Sequence, residues 1–415
     1  MKYIERSLEE KIQKYIKKRE IIAIVGARQC GKTTLMNHLF NKIKKKSKKF
    51  ITFEDREVLE LFVKDIKGFV DIYIKNLDFL FIDEFQYAKQ GGKNLKFIYD
   101  TCKTKIMISG SSATDLSIQS IKYLVGRILV FQLNPLSFEE YLNYVDQSLY
   151  KIYKKEGFSE PIMERINRYY HKFVIYGGYP RVVLSQDDEE KKEVLKNIYN
   201  TYFLKEIKEI LQISEDFKLS KLIKILSLQL GGLVNYNELS SATGFDYPEL
   251  LKHLNILKKT FICLESRPFF TNKKKELVKT PKIYFLDNGF RNLIANNFQK
   301  IDDRTDFGDL NENFIASEIL KSDIELKYWR TKIGAEVDFI IEREGKLIPI
   351  EVKTLLKSSK ITRSFRNFLE YYKLKTGFIL SKEYCGKKEF NKTKIFFFPL
   401  FNIRNILEKI VKERS

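Results

Sequence analysis

The sequence predicts an α/β protein of several domains, the first of which is built on a parallel sheet. Three observations support this prediction. An apolar, β-branched run at 21–25 ends at a glycine-rich loop, and a second apolar run ends at Asp83 and Glu84. Near the C-terminus, two strand-like runs flank a short charged turn at Glu344 and Gly345. The length of 415 residues fits two to four domains, and 44% hydrophobic residues suffice for real cores.

The composition excludes several classes of protein. The four cysteines are far apart and form no CxxC pair, and the three histidines are dispersed, which disfavours a zinc site and a disulfide framework. No apolar run approaches the roughly 20 residues of a membrane helix, and we expect a cytoplasmic protein. The net charge of +21 suggests a polyanionic partner, although scattered lysines carry most of the excess and are usually solvated.

The first loop has the pattern of a phosphate-binding site. Its residues match G-x-x-x-x-G-K-[ST], in which glycines let main-chain N–H groups turn towards phosphates. Lys32 is expected to reach the β and γ oxygens, and the hydroxyl of Thr33 to hold Mg²⁺. The helical run that follows would direct the positive end of its dipole at the same charge. The predicted nucleotide-binding residues are Gly26, Ala27, Arg28, Gln29, Cys30, Gly31, Lys32, Thr33 and Thr34.

The second apolar run, LDFLFIDEFQ at 77–86, is expected to complete this site. Asp83 would hold Mg²⁺ through water, and Glu84 would polarise the attacking water. A lone acidic pair after a strand is weak evidence, but a phosphate-binding loop about fifty residues upstream makes it strong.

Two further segments are candidates for the same site. The run KIMISGSS at 105–112 ends in small polar residues, so Ser109 or Ser111 could lie beside the γ-phosphate. Arg127 is either a finger that completes a neighbouring subunit's site or a member of a surface ion pair. The sequence does not separate these two interpretations of Arg127.

The stretch GAEVDFIIEREGKLIPIEVK at 334–353 predicts an antiparallel hairpin that carries a second site. A turn centred between residues 344 and 345 places Asp338 opposite Glu351, and Glu336 opposite Lys353. Facing carboxylates repel each other unless a cation lies between them, and hard divalent cations take carboxylate oxygens. Lys353 could then stabilise developing charge on a phosphate or position water. The alternative is an ordinary solvated hairpin with alternating charges.

The middle of the chain predicts helices. Residues 151–215 have helical periodicity and suit a lid over the nucleotide. From residue 219 the pattern indicates three short helices followed by a strand, the order of a winged helix, with Asp246 capping the third helix. This helix either contacts DNA or has a structural or protein-docking role. Its expected outward residues are Lys252, His253, Asn255, Lys258 and Lys259.

The motifs together resemble a family of predicted archaeal and bacterial AAA+ ATPases with a C-terminal domain of unknown function. The resemblance is carried in order by GARQCGKTTL, FLFIDEFQ, ISGSS, VGR, PLSFEEYL, YGGYPRVV, PKIYFLDNGF, NENFIASEIL and YWRTKIGAEVDFII. It implies an ATP-binding core, a helical lid, a winged helix and a nuclease-like C-terminal fold. Cys30 departs from the small aliphatic residue expected there, which should matter little because the loop binds through its backbone.

The C-terminal hairpin is similar to that of the PD-(D/E)XK nucleases, whose signature is Asp, then Glu-x-Lys on the next strand. In that superfamily an upstream helix often supplies another acid, and Glu312 is the matching position. The resemblance therefore implies Asp338, Glu351 and Glu312 as ligands of Mg²⁺ or Mn²⁺, and Lys353 as a catalytic residue with the two strand acids.

The predicted fold class is a multidomain α/β protein with four parts. These are a P-loop AAA+ parallel-sheet core over 1–150, a helical lid over 151–215, a winged helix over 216–300 and a restriction-endonuclease-like α/β domain over 301–415. The predicted function is ATP hydrolysis with Mg²⁺ and action on nucleic acid, with DNA favoured. The alternative is a nucleotide-dependent switch with an inactive nuclease-like domain. The sequence leaves the oligomeric state open; a homo-oligomer is one alternative, because AAA+ cores often form rings.

Overall fold

The computed structural model describes residues 3–110, 123–155, 157–203, 207, 217–356, 358–382 and 384–412. The chain divides into two compact units. The first comprises residues 1–136 with 179–181 and 259–261, and the second comprises residues 137–178, 182–258 and 262–415. Within the described residues no helix is both long and apolar enough to cross a membrane.

The first unit is an α/β structure with a five-stranded parallel sheet. Its strands lie in the order β2-β3-β4-β1-β5. The strands are β1 (Ile21–Val25), β2 (Lys48–Thr52), β3 (Phe79–Asp83), β4 (Lys105–Gly110) and β5 (Ile128–Gln132). The helices are α1 (Ser7–Gln13), α2 (Lys32–Lys42), α3 (Arg56–Lys64), α4 (Ile66–Tyr73) and α5 (Gly92–Thr101), with a 3₁₀ turn at Phe85–Tyr87.

The parallel sheet follows from the continuous apolar runs of its central strands. Every residue of β1 and β4 is buried, as expected of strands covered on both faces. Because the strands are parallel, the carboxyl ends of β1, β3 and β4 meet at one edge of the sheet, and this edge carries the glycine-rich loop, Asp83 and Ser109. The fold therefore brings together motifs that lie up to about 80 residues apart in sequence.

The second unit contains helices and two mixed sheets. Its first helices pack around buried aromatic side chains, among them Phe138, Tyr153 and Tyr170. These helices are α6 (Phe138–Val145), α7 (Gln147–Tyr153), α8 (Glu160–Tyr176), α9 (Pro180–Val183) and α10 (Asp188–Asn197), followed by a π-helical segment at Ile198–Phe203. The first two residues of α9 belong to the first unit.

Three helices and a strand follow in the order that the sequence predicts. The helices are α11 (Phe217–Leu228), α12 (Tyr236–Thr243) and α13 (Tyr247–Lys259). They are followed by β6 (Cys263–Pro268), α14 (Lys273–Val278), β7 (Lys282–Phe285) and α15 (Asn288–Ala295), with a 3₁₀ turn at Ile301–Asp303. The main-chain N–H of Glu249 donates to the Asp246 carboxylate at 2.8 Å, which confirms the predicted cap of α13.

The remaining elements complete both sheets. They are α16 (Phe307–Lys321), β8 (Lys327–Arg330), β9 (Glu336–Val337), β10 (Phe339–Arg343), β11 (Lys346–Lys353), α17 (Arg363–Tyr371), β12 (Thr376–Ser381), β13 (Gly386–Phe390), β14 (Thr393–Pro399), a 3₁₀ turn at Leu400–Asn402 and α18 (Ile403–Lys412). One sheet has the order β7-β6-β8-β9 and the other has the order β10-β11-β12-β14-β13. The second sheet packs on α17 through a core that includes Ile340, Phe365, Phe368 and Ile379.

Candidate functional sites

The glycine-rich loop between β1 and α2 has the backbone geometry of a phosphate-binding loop. Gly26 has a φ of +157°, and a Cβ there would lie 2.1 Å from the carbonyl oxygen of Leu133. Gly31 caps α2 with a φ of +90°. Both positions therefore favour glycine, which leaves main-chain N–H groups at the start of α2 available to an anion.

Lys32, the first residue of α2, is buried and folded back onto the loop. Its ammonium donates to the carbonyl oxygens of Gly26 at 3.0 Å and Ala27 at 2.9 Å. These bonds hold the lysine at the mouth of the loop, where it can exchange the carbonyl oxygens for phosphate oxygens. Thr33 and Thr34 follow in the first turn of the helix with exposed side chains.

The other predicted loop residues are divided between the surface and the interior. Ala27 and Cys30 are buried, whereas Gln29 is exposed with a φ of 63° and Arg28 is half-buried. The side chain of Cys30 is buried and so is not available to a ligand, which agrees with a loop that binds phosphate through its backbone.

Asp83 is the last residue of β3, and Glu84 follows it, at the edge of the sheet that also carries the glycine-rich loop. The buried carboxylate of Asp83 accepts a hydrogen bond from the Ser109 hydroxyl at the end of β4. Glu84 adopts a left-handed φ of 54°, and its carboxylate accepts a hydrogen bond from the Gln86 amide. Ser109 thus lies beside the predicted Mg²⁺-binding acid, whereas Ser111 lies outside the described residues.

Arg127 takes part in an ion pair within the first unit. Its guanidinium donates from Nε to Asp100 Oδ1 at 2.9 Å, and both side chains are partly exposed. This contact holds the pKa of Asp100 below its ordinary value. Arg127 therefore lies in a surface ion pair, which is one of the two interpretations that the sequence left open.

Arg6 supports the loop and was not identified from the sequence. Its buried guanidinium donates from Nη1 to the carbonyl oxygen of Cys30 at 2.9 Å and from Nη2 to the carbonyl oxygen of Asn134. It therefore ties the loop to the segment after β5. No local pattern marks this arginine, because both of its partners are main-chain atoms distant in sequence.

The second site lies on the hairpin of β10 and β11. Glu344 and Gly345 form the turn, both with left-handed backbones, and the ladder runs from the pair Arg343–Lys346 to the pair Phe339–Ile350. The predicted register is therefore confirmed over these residues.

The ladder ends before Glu336. This residue lies opposite Arg330 on β8, and its carboxylate accepts a hydrogen bond from Arg330 at 2.8 Å. The expected pairing of Glu336 with Lys353 is therefore wrong. β10 pairs with β11, whereas β9, on the N-terminal side of Asp338, pairs with β8.

Asp338 lies between β9 and β10, where the strand changes partners. Its Oδ2 accepts a hydrogen bond from the main-chain N–H of Val352 at 2.7 Å, which fixes the carboxylate against β11. Burial, together with the charges of Glu312 and Glu351, raises the pKa of Asp338 well above its ordinary value. The side chain therefore lies in a crowded acidic environment.

Glu351 and Lys353 extend from β11 as an ion pair. The ammonium of Lys353 lies 2.8 Å from Glu351 Oε1, and this oxygen also accepts a hydrogen bond from the Thr362 hydroxyl at 3.0 Å. The other oxygen, Oε2, is buried without a hydrogen-bond partner among the described residues. Burial lowers the pKa of Lys353, but Glu351 and Asp338 outweigh burial and raise it above its ordinary value.

Glu312 on α16 has partners that the sequence did not predict. Its Oε1 lies 3.2 Å from the ammonium of Lys282 and accepts a hydrogen bond from the Tyr284 hydroxyl. Lys282 also donates to Glu336. Lys282 and Tyr284 are two residues apart on β7 and therefore lie on the same face of the strand. The K-x-Y spacing within PKIYFLDNGF was the signal available in the sequence, but it does not reveal which carboxylates these two side chains contact.

The three predicted metal ligands are not assembled as a set. Among the described residues, no group of three or more His, Cys, Asp or Glu side chains has the geometry to hold a metal ion. Two carboxylates suffice for a Mg²⁺ that keeps several of its waters. Asp338 and Glu351 fit this requirement, because one oxygen of Glu351 is buried without a partner.

The outward surface of α13 differs from its prediction. Lys252 and Asn255 are exposed. His253 is buried, its Nδ1–H donates to the carbonyl oxygen of Glu249 at 2.7 Å, and its ring stacks on Phe245 with the ring centroids 4.1 Å apart. The expected outward position of His253 is therefore wrong. Lys258 pairs with Glu265, and Lys259 is half-buried.

The loop, the buried lysine and the acid at the end of β3 together form a P-loop ATPase-like fold, and the family comparison agrees. Residues 18–142 match a family described as an AAA domain. Residues 167–301 and 307–401 match two families described as domains of unknown function, DUF8612 and DUF4143. The three matches follow one another along the chain, an AAA domain first and then two domains of unknown function.

The relatives extend along most of the chain. An uncharacterized protein of Methanocaldococcus jannaschii is 26% identical over 411 residues, covering 91% of this chain and 84% of the relative. A second uncharacterized protein of that organism is 25% identical over 337 residues, covering 79% and 73%. A Walker-type ATPase of Pyrococcus abyssi has a solved structure that is similar with a TM-score of 0.47 at 14% identity, covering 70% of this chain and 96% of that chain.

Proposed function

We propose that this chain couples ATP hydrolysis to action on DNA, and that its C-terminal carboxylates cleave phosphodiester bonds with Mg²⁺ or Mn²⁺. The observation that carries the proposal is the arrangement of Asp338, Glu351 and Lys353. Asp338 is held against Val352 of β11 at 2.7 Å, and Lys353 lies 2.8 Å from Glu351 on the same strand. An ordinary solvated hairpin would expose these charges, whereas Glu351 is 3% exposed.

The element order supports the finer fold assignments within this proposal. The segment 217–285 has three helices followed by the antiparallel strands β6 and β7, as in a winged helix. The segment 307–381 has a helix, a strand, a hairpin, a helix and a parallel strand, as in a restriction-endonuclease-like domain. The boundaries at 150, 215 and 300 remain predictions.

The residues have distinct roles in the proposed cleavage. Asp338 and Glu351 would hold the divalent ion, which supplies Lewis acidity and lowers the pKa of its bound water. The ammonium of Lys353 is held beside them by its ion pair with Glu351, where it can neutralise charge that develops on the phosphate. The Thr362 hydroxyl also donates a hydrogen bond to Glu351 Oε1, the oxygen that contacts Lys353.

Docking of DNA would use α13 and the positive charge of the chain. Lys252 and Asn255 are exposed on this helix and suit contacts to phosphates, which fix position without reading sequence. In the first unit, Asp83, Glu84 and Lys32 would serve ATP hydrolysis, whose energy drives a conformational change that acts on the bound DNA.

The test is cleavage of plasmid and single-stranded DNA with Mg²⁺ or Mn²⁺, with and without ATP, while phosphate release is measured in parallel. We expect Asp338→Ala to reduce cleavage about 100-fold or more, with ATP hydrolysis nearly intact. Lys32→Ala should reduce ATP hydrolysis by a similar factor, and its effect on cleavage reports whether the two activities are coupled. Glu389→Ala, an exposed acid on β13, is the control.

The outcomes discriminate the proposal from its alternative. Cleavage that survives Asp338→Ala would mean that another site or a contaminant cuts the DNA. ATP hydrolysis without cleavage under any condition would favour a nucleotide-dependent switch whose C-terminal acids only bind. ATP hydrolysis without any affinity for nucleic acid at moderate salt would contradict a role on DNA, because lysine–phosphate attraction should persist there.

A further inference from the structure

Lys282 places a buried positive charge inside the acidic cluster of the second unit. Its side chain is 3% exposed, and its ammonium lies 3.2 Å from Glu312 Oε1 and donates to Glu336. A lysine is rarely this deeply buried unless its charge is compensated. Here two carboxylates from different elements, α16 and β9, compensate it.

The position of Lys282 is set by the sheet rather than by its own flexibility. It lies opposite Ser266 in the antiparallel pairing of β6 and β7, and its backbone also bridges to Leu233. Tyr284, two residues further along the same face of β7, donates its hydroxyl to the same Glu312 oxygen. Strand β7 therefore holds Glu312 by two side chains at once.

A cation between two carboxylates is also the arrangement that a second divalent ion requires. In two-metal sites the ions lie about 4 Å apart and stabilise the attacking and the leaving oxygen. In this cluster Asp338 and Glu351 form one candidate pair of ligands, and Glu312 and Glu336 form another. The second pair already faces the Lys282 ammonium.

We propose that Lys282 takes the place of a second divalent ion, so that the C-terminal site binds a single Mg²⁺ or Mn²⁺ at Asp338 and Glu351. Lys282 is then a positioning residue that keeps Glu312 and Glu336 out of the metal shell. This inference rests on the proposed metal-dependent function, and it narrows that function to one-metal chemistry assisted by a built-in ammonium group.

The test is the stoichiometry of Mn²⁺ binding, measured by calorimetry on the full chain without nucleotide. An Asp83→Asn background removes the acid of the ATPase site from the measurement. We expect one Mn²⁺ per chain with Lys282 present and two after Lys282→Met, because Glu312 and Glu336 become available. Lys282→Gln, which keeps hydrogen-bond donors but not the charge, should behave like Lys282→Met, and circular dichroism checks that each variant is folded.

Lys327 provides a matched control. It is also a buried lysine of a strand next to β6, and its ammonium lies 3.2 Å from Glu276 and 2.9 Å from Glu342, outside the cluster. Lys327→Met should leave the stoichiometry at one. A gain of an ion in the Lys327 variant as well would overturn the inference, because exposure of any carboxylate pair would then explain it.

The remaining outcomes separate the inference from the function on which it rests. One ion in the parent chain that is lost with Asp338→Ala, and still one with unchanged affinity after Lys282→Met, would overturn the inference and leave the proposed function standing. No ion in the parent chain would contradict the proposed metal site and, with it, the single-ion site of this inference, even if one ion bound after Lys282→Met.

Discussion

The two sites of this chain are built in opposite ways. The phosphate-binding loop uses consecutive residues and its own backbone, with Lys32 bonded to carbonyl oxygens only five and six residues away. The acidic cluster uses side chains that meet across large sequence separations, such as Tyr284 and Glu312 or Lys282 and Glu336. The first site can therefore be recognised from a short motif, whereas recognition of the second requires knowing which strands pair.

The largest effect should follow from placing a side chain in the loop. Gly26→Ala puts a Cβ 2.1 Å from the carbonyl oxygen of Leu133, so we expect it to lower the free energy of unfolding of the first unit by about 3 kcal/mol. Hydrogen exchange of the β1 amides measures this loss.

Gly126→Ala is the control for that substitution. Gly126 also has a left-handed φ, but an added Cβ there meets nothing within 4 Å among the described residues, so the cost should be only about 1 kcal/mol of backbone strain. Equal losses for the two variants would show that the contact with Leu133 does not restrict the loop.

A smaller effect should come from the acidic cluster. Tyr284→Phe removes a hydroxyl that donates to the Glu312 carboxylate, and should lower the free energy of unfolding by about 2 kcal/mol. Tyr170→Phe removes a buried bond of 2.8 Å to the neutral amide of Asn311 and should cost about 1 kcal/mol. Trp329, the only tryptophan of the chain, lies in this unit on Phe368, so its fluorescence in urea reports both losses.

The order of those two losses is the informative result. A Tyr170 variant that is less stable than the Tyr284 variant would mean that Glu312 carries no charge for Tyr284 to stabilise. The cluster would then be held together by packing rather than by charge, and its contrast with the loop would weaken.

The smallest effect should be that of Arg6, a long-range support of the loop. Arg6→Ala removes a charged donor from the carbonyl oxygen of Cys30, so we expect the KM for ATP to rise about 10-fold with a smaller change in kcat. Arg19→Ala removes an exposed arginine that donates to the carbonyl oxygen of Tyr99 and should leave KM unchanged. A fall in kcat alone would assign Arg6 to the chemical step instead.

The sequence predicted those features whose cause is local. The hairpin register followed from the turn at Glu344 and Gly345. Asp83 was identified because an apolar run that follows the phosphate-binding loop in the sequence ends in this acid. His253 was misplaced because helical periodicity does not reveal that its ring stacks on Phe245. Arg6 and Lys282 escaped prediction because their partners come from distant strands and loops.

Strand β7 also has a consequence for cutting the chain into pieces. The sheet β7-β6-β8-β9 joins strands from both sides of residue 300, so a fragment that begins at 301 loses β6 and β7 together. Such a fragment would expose the edge of β8 and leave the half-buried carboxylates of Glu312 and Glu336 without the Lys282 ammonium. An open, charged edge of this kind recruits other chains, so aggregation of the truncated product would be a property of the missing strands and not of the C-terminal fold itself.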